Sequence, residues 1–209
     1  MIVAFLLLVQ DVLKPEDQPR RMLYRYLEAE CRPHFEARLR ALEALKTPED
    51  VKRRQDELRR TFLSLLGGLP ERTPLHPQVT GTLVRDGYRV EKVIYETLPG
   101  HHVAANLYLP AGRGPFPGVL FPVGHYSNPK AADEYQRACI LLAKNGLAAL
   151  LFDPIGQGER CQTLNAAGRP IALGTSEHTL LDVGLLLVGS CAARHFVWDG
   201  MRGLDYLAS

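Results

Sequence analysis

The sequence predicts an α/β chain in which an antiparallel meander leads into parallel strands, preceded by an N-terminal helical pair. Three observations predict it. Residues 19–66 carry apolar side chains at three- and four-residue spacing. From Val79 the apolar period drops to two, with turn dipeptides between the runs. After Pro117, two short continuous apolar runs flank one helical stretch, the pattern of strands buried on both faces.

In the helical part, Leu23, Tyr26, Leu27, Phe35, Leu39, Leu42 and Leu45 form a stripe, with Arg and Glu filling the other face. Thr47-Pro48-Glu49-Asp50 restarts a helix. Thr47 suits the cap, Pro48 the first helical position, and the two acids the positive end of the helix dipole. Val51, Leu58, Phe62 and Leu65 continue the stripe until Gly67-Gly68 and Pro70 end it.

The meander is expected from residues 79–85, 88–97 and 102–109, joined at Asp86-Gly87 and Pro99-Gly100. Residues 118–123 then read as a buried strand, 131–145 as a helix closed by Gly146, and 147–152 as a second buried strand ending at Asp153. Such a unit needs a right-handed crossover, so the two strands are expected parallel in one sheet. The expected division is residues 1–70 for the apolar run and helical pair, and 71–209 for the sheet-bearing domain.

Composition excludes some function classes. Across 209 residues, 25 basic and 23 acidic side chains leave a net charge of only +2, which gives no electrostatic reason for nucleic acid or an anionic membrane as partner. Twelve basic residues fall between Arg20 and Arg60, but eight acidic ones are interleaved with them and no aromatic stacking pattern accompanies them. That segment reads as a solvated helical face. Cys31, Cys139, Cys161 and Cys191 are widely spaced and read as free thiols.

Residues 2–9 are continuously apolar but far short of the roughly 20 residues that span a bilayer, so no transmembrane segment is expected there. The run has the size of a signal-peptide core, yet no Lys or Arg precedes it and no Ala-x-Ala site follows. A signal remnant within residues 1–13 and a buried helical turn both stay open, and localisation is left unknown, cytoplasmic or exported.

Gly114-Pro115-Phe116-Pro117-Gly118, Gly124-His125-Tyr126, Asp153-Pro154-Ile155-Gly156-Gln157-Gly158-Glu159-Arg160, Glu177-His178-Thr179 and Trp198-Asp199-Gly200 with Leu204-Asp205-Tyr206-Leu207 together resemble acetylxylan esterase-type α/β-hydrolases. The resemblance covers roughly residues 75–209. It implies an incomplete α/β-hydrolase sheet and, for the complete protein, a carboxylic ester hydrolase with an acyl-serine mechanism and no cofactor. The implied substrate is a small acyl ester or an acylated carbohydrate.

In that fold a serine sits on a strained strand-to-helix turn flanked by glycines, and an acid and a histidine follow it in chain order. The resemblance places this turn after the helix carrying Trp198-Asp199-Gly200. All three triad members are therefore expected beyond Ser209, with no catalytic residue in this chain and no activity of this chain alone. Gly174-Thr175-Ser176-Glu177-His178 offers a central serine, but His178 replaces the second glycine and no strand precedes it; Gly189-Ser190-Cys191 fails likewise.

By resemblance, the backbone N–H of Tyr126 is the leading oxyanion donor, with His125 supporting the loop. Asp153 ends a parallel strand, where ligands gather in open α/β sheets. The resemblance makes it a loop brace with Arg160 or a backbone N–H as partner, and makes Glu177, His178 and Asp199 hydrogen-bonded supports near the pocket. Cys191 and His195 have a spacing that suits one helical face, but Cys161 and His178 are distant, so no metal site is expected.

In that fold the serine strand pairs against residues 119–123, so without it this apolar strand would be an open edge prone to self-association. A reading of a different class is a non-catalytic binding or assembly module that uses the helical pair.

Overall fold

The structure is a computed structural model and describes residues 12–209; the apolar run 2–9 lies outside the described residues. The chain divides into two compact units, Met1–Arg59 and Arg60–Ser209.

In the first unit, α1 (Met22–Glu43) forms without a side-chain cap and tolerates Pro33 in its interior. Helix α2 (Pro48–Leu65) begins where the capping residues predict, with Thr47 Oγ1 accepting from Asp50 N at 3.1 Å and Asp50 Oδ2 accepting from Thr47 N at 3.0 Å. Neither helix has a buried residue. The apolar stripe of α1 is exposed like the rest of the helix, with Leu23 at 70 % and Phe35 at 62 % exposure.

The second unit is one five-stranded sheet of order β1-β2-β3-β5-β4. Strands β1 (Gln78–Arg85), β2 (Tyr88–Leu98) and β3 (His101–Pro110) make the antiparallel meander. Both connecting turns place glycine at positive φ, Gly87 at 79° and Gly100 at 73°. β4 (Gly118–Phe121) and β5 (Ala148–Phe152) pair in parallel, and β5 also pairs antiparallel with β3. β4 stops two residues earlier than the sequence predicts, because Pro122 has no N–H for the ladder.

Helix α3 (Asp133–Lys144) crosses from β4 to β5 on one sheet face, where Cys139 and Ala143 pack with Tyr108, Ala149 and Leu151. On the other face Tyr95, Val103, Leu107 and Leu150 form a second core, closed by Tyr206 and Leu207 of α5 (Ala192–Leu207). Alternation along β5 feeds both cores, and every residue of β5 is buried. β4 is an edge strand. Helix α4 (Thr175–Leu187) lies between β5 and α5 in the chain. Among the described residues no single helix is long and apolar enough to cross a membrane.

Candidate functional site

The residues singled out from the sequence gather at the carboxyl ends of β4 and β5. Past β4 the chain turns through residues 124–128. Gln157 holds this loop: its Nε2 donates to the carbonyls of Gly124 at 3.0 Å and Tyr126 at 2.7 Å. Tyr135 Oη accepts from Gly124 N at 3.0 Å, and Gly158 N donates to Ser127 O at 3.0 Å. The Tyr126 N–H turns back onto the Gly124 carbonyl at 3.1 Å. The Tyr126 ring packs edge-on against Tyr135, and its hydroxyl donates to Glu134, which raises the phenol's pKa and lowers the carboxyl's.

Asp153, at the end of β5, has no exposed surface and is fully engaged. Its carboxylate accepts from Lys130 N at 3.0 Å, Glu159 N at 3.1 Å and Lys130 Nζ at 2.5 Å, and Lys130 Nζ also meets Glu159 Oε2 at 2.5 Å. A Cβ on Gly158 would overlap this carboxylate, and Gly158 also has φ of 56°. Arg160 binds the Asp153 backbone carbonyl at 3.0 Å and leaves the carboxylate to Lys130.

The carboxylate that Arg160 does bind is Asp199, on α5, at 2.7 Å. Thr97 Oγ1 donates to the other oxygen at 2.7 Å, and Trp198 Nε1 donates to the Thr97 carbonyl at 2.7 Å. Arg160 also reaches His101 Nε2 at 2.7 Å. A guanidinium has no acceptor, so His101 receives this bond on an unprotonated Nε2. Burial alone would raise the Asp199 carboxyl; the Arg160 guanidinium and the Thr97 hydroxyl outweigh it and hold the group below its ordinary value of 3.8.

The first turn of α4 supplies Glu177 and His178. Glu177 is fully buried; one oxygen accepts from the backbone N–H of Gln162 and of Thr163, the latter at 2.8 Å, and the other has no partner. His178 Nε2 donates to the Ile155 carbonyl at 2.8 Å, and its ring lies 5.1 Å from that of His125 and 4.9 Å from that of Phe196. The structure therefore gathers His125, Tyr126 and His178 around one loop. Asp153, Arg160 and Asp199 are joined through Arg160, and Glu177 anchors residues 162–163 separately.

Ser176 is the second residue of α4, and Ser190 is buried with an unpartnered hydroxyl. Among the described residues no serine hydroxyl bonds a histidine, and no three His, Cys, Asp or Glu side chains converge on a metal position. All four cysteines are unpaired.

The sheet order, with β5 between the meander and β4, and the loops at the strand ends can be matched to known proteins. Neither a family model nor a curated protein matches the sequence. Solved structures do. One is a Bacteroides fragilis protein assigned as an acetyl xylan esterase, 20 % identical with a TM-score of 0.61 over 77 % of this chain and 44 % of that one. Another is a methylesterase, 23 % identical with a TM-score of 0.55 over 80 % of this chain and 34 % of that one. The fold is part of an α/β-hydrolase. The chain spans less than half the length of either structure.

On this α/β-hydrolase frame, sequence reasoning did not single out Thr97 or Lys130. Gln157, which the sequence offers only within the segment from Asp153 to Arg160, is the side chain that reaches the backbone carbonyls of loop 124–128.

Proposed function

We propose that this chain carries the frame and part of the catalytic face of a carboxylic ester hydrolase of the acetyl xylan esterase type, working by acyl-serine chemistry. The observation that carries the reading is the loop 124–128, set at the carboxyl end of a parallel strand and fixed from behind by Gln157. In an α/β-hydrolase this loop supplies one backbone donor to the oxyanion. The Tyr126 N–H takes that part, exchanging its bond to the Gly124 carbonyl for the substrate oxygen as negative charge develops there.

The serine attacks the acyl carbon, its proton passing to the histidine. The tetrahedral intermediate then collapses, the alcohol leaves with that proton, and water releases the acid from the acyl-enzyme. Neither the serine, the histidine nor the carboxylate that orients the histidine is assigned to the described residues. The likeness to an acetyl xylan esterase and a methylesterase supports an ester with a small acyl or alkyl part, with an acylated carbohydrate as one form.

The test uses the native polypeptide and a fluorophosphonate probe. Acetyl-ester turnover with labelling of a serine other than Ser176 and Ser190 is expected. Labelling at Ser176 or Ser190, or no turnover by the native protein, overturns the reading. In the active protein, Tyr126→Pro should lower kcat by about 100-fold, whereas Tyr126→Ala, which keeps the N–H, should change it little.

A second reading, a binding or assembly module, is favoured by the exposed apolar stripe of α1. Loss of a partner on substituting Leu23 and Phe35 by Ser, with ester turnover absent from the native protein, would select it.

A further inference from the structure

The Tyr126 N–H lies in the planar peptide unit shared with His125, so its aim depends on both residues. Bonds from behind fix the neighbouring units: the Gly124 and Tyr126 carbonyls accept from Gln157 Nε2, and the Ser127 carbonyl accepts from Gly158 N. The His125 carbonyl, on the same plane as the Tyr126 N–H, accepts no hydrogen bond among the described residues. In the resting loop that plane is held by the Tyr126 N–H on the Gly124 carbonyl, and a substrate oxygen would take this bond away. What then keeps the plane in place is the side chain of His125.

That side chain has a ring as its neighbour. His125 is exposed and forms no hydrogen bond among the described residues, but its imidazole lies 5.1 Å from that of His178 at an angle of 56°. The separation is within the roughly 4.5–7 Å at which aromatic rings pair. We propose that His178 is a positioning residue for the oxyanion loop, holding the His125–Tyr126 peptide through this ring contact.

His178 is itself held on several sides. A carbonyl only accepts, so His178 Nε2 carries the proton in its 2.8 Å bond to the Ile155 carbonyl. The Phe196 ring packs edge-on at 4.9 Å. Gly156 makes room for the imidazole: it has φ of 80°, and a Cβ there would lie 2.9 Å from His178 Cδ2. The Gly174 N–H bonds the Gly156 carbonyl at 3.1 Å, which ties the start of α4 to the same turn. The support therefore runs from residues 155–156 through His178 to His125 and so to one peptide of the loop.

The effect on rate rests on the esterase reading, whereas the effect on the loop does not, and the native polypeptide is measured for each. His178→Ala should lower kcat, counted per serine titrated with the fluorophosphonate, about tenfold while KM stays within about twofold, because a misaimed donor is felt as charge develops. His125→Ala, at an exposed position, should do the same with an unchanged circular-dichroism spectrum. The double variant should be no slower than either single one, and His125→Phe should recover most of the His125→Ala loss by restoring a ring. Amide exchange followed by nuclear magnetic resonance reads the loop without turnover. The Tyr126 N–H should exchange about tenfold faster in both alanine variants, with the Gly158 N–H unchanged. A parent protein with neither turnover nor label overturns the esterase reading, and the Tyr126 exchange rate then decides the positioning role by itself. Unchanged Tyr126 exchange in the folded variants, additive losses in the double variant, or a lower thermal midpoint with kcat per titrated serine intact overturns the proposal.

Discussion

Arg160 and Asp199, 39 positions apart in the chain, form a 2.7 Å ion pair with 5 % and 1 % of their surfaces exposed. Desolvating two charges is costly, and the pair is tolerable because its remaining valences are filled by Thr97, His101 and the Asp153 carbonyl. Removing one partner strands the other. Asp199→Ala or Arg160→Ala should each cost about 3–5 kcal/mol, whereas Thr97→Val should cost about 1–2 kcal/mol. Urea unfolding of the three variants checks the order.

The same pair has a pH signature. A carboxyl held below 3.8 in the folded chain favours folding fully above that value, and the contribution is lost as pH falls through the lower folded value. His195 adds to this from higher pH: with its folded value below 6.5, protonation opposes folding as pH falls beneath 6.5. In Asp199→Asn the loss below about pH 4 should flatten. In His195→Leu the loss between about pH 6.5 and 5 should flatten. Denaturant midpoints measured from pH 8 to 3 separate the two.

Gly158 makes a steric prediction. Its positive φ costs an L-residue about 1–2 kcal/mol, and the added methyl would also drive the Asp153 carboxylate off Lys130 and the Glu159 N–H. Gly158→Ala should therefore destabilise more than Gly168→Ala. Gly168 is likewise at positive φ but has open space around it. A larger loss of thermal midpoint at Gly158 is expected; equal losses would mean that backbone strain alone matters.

Thiol chemistry gives a readout of the sheet core. Burial raises the Cys139 thiol to about 12 and also raises Cys161, whereas Cys31 is exposed on α1. At pH 8 a thiol reagent should modify Cys31 in the native state and leave Cys139 unmodified until denaturant is added. Peptide mapping after a timed pulse checks this.

Much of the fold was legible because its causes are local. The meander turns need only Asp86-Gly87 and Pro99-Gly100, and the start of α2 needs only residues 47–50. The buried strand β5 was legible from five consecutive apolar residues. The site was legible as a set of segments but not as a network. Thr97 meets Asp199 across 102 positions, and Lys130 meets Asp153 across 23, so those bonds exist only once the sheet has brought strand ends together. The α1 stripe shows the reverse limit. Periodicity identifies which face is apolar, and in this chain that face is exposed.

Gln157 supplies the sharpest link between fold and proposed chemistry. One amide group holds two carbonyls of the loop, Gly124 and Tyr126, and Gln157 itself is 1 % exposed, so no solvent can replace the donor without rearrangement. Gln157→Leu should cost about 1 kcal/mol for each abandoned carbonyl, or about 2 kcal/mol in all. Gln157→Glu keeps the shape but offers acceptors to acceptors, and should be the more damaging of the two. In an active ester hydrolase containing this chain, loosening the loop misplaces the Tyr126 N–H where charge develops, so kcat should fall while KM holds. A fall in KM-linked binding with kcat intact would place Gln157 with the substrate instead of the oxyanion loop.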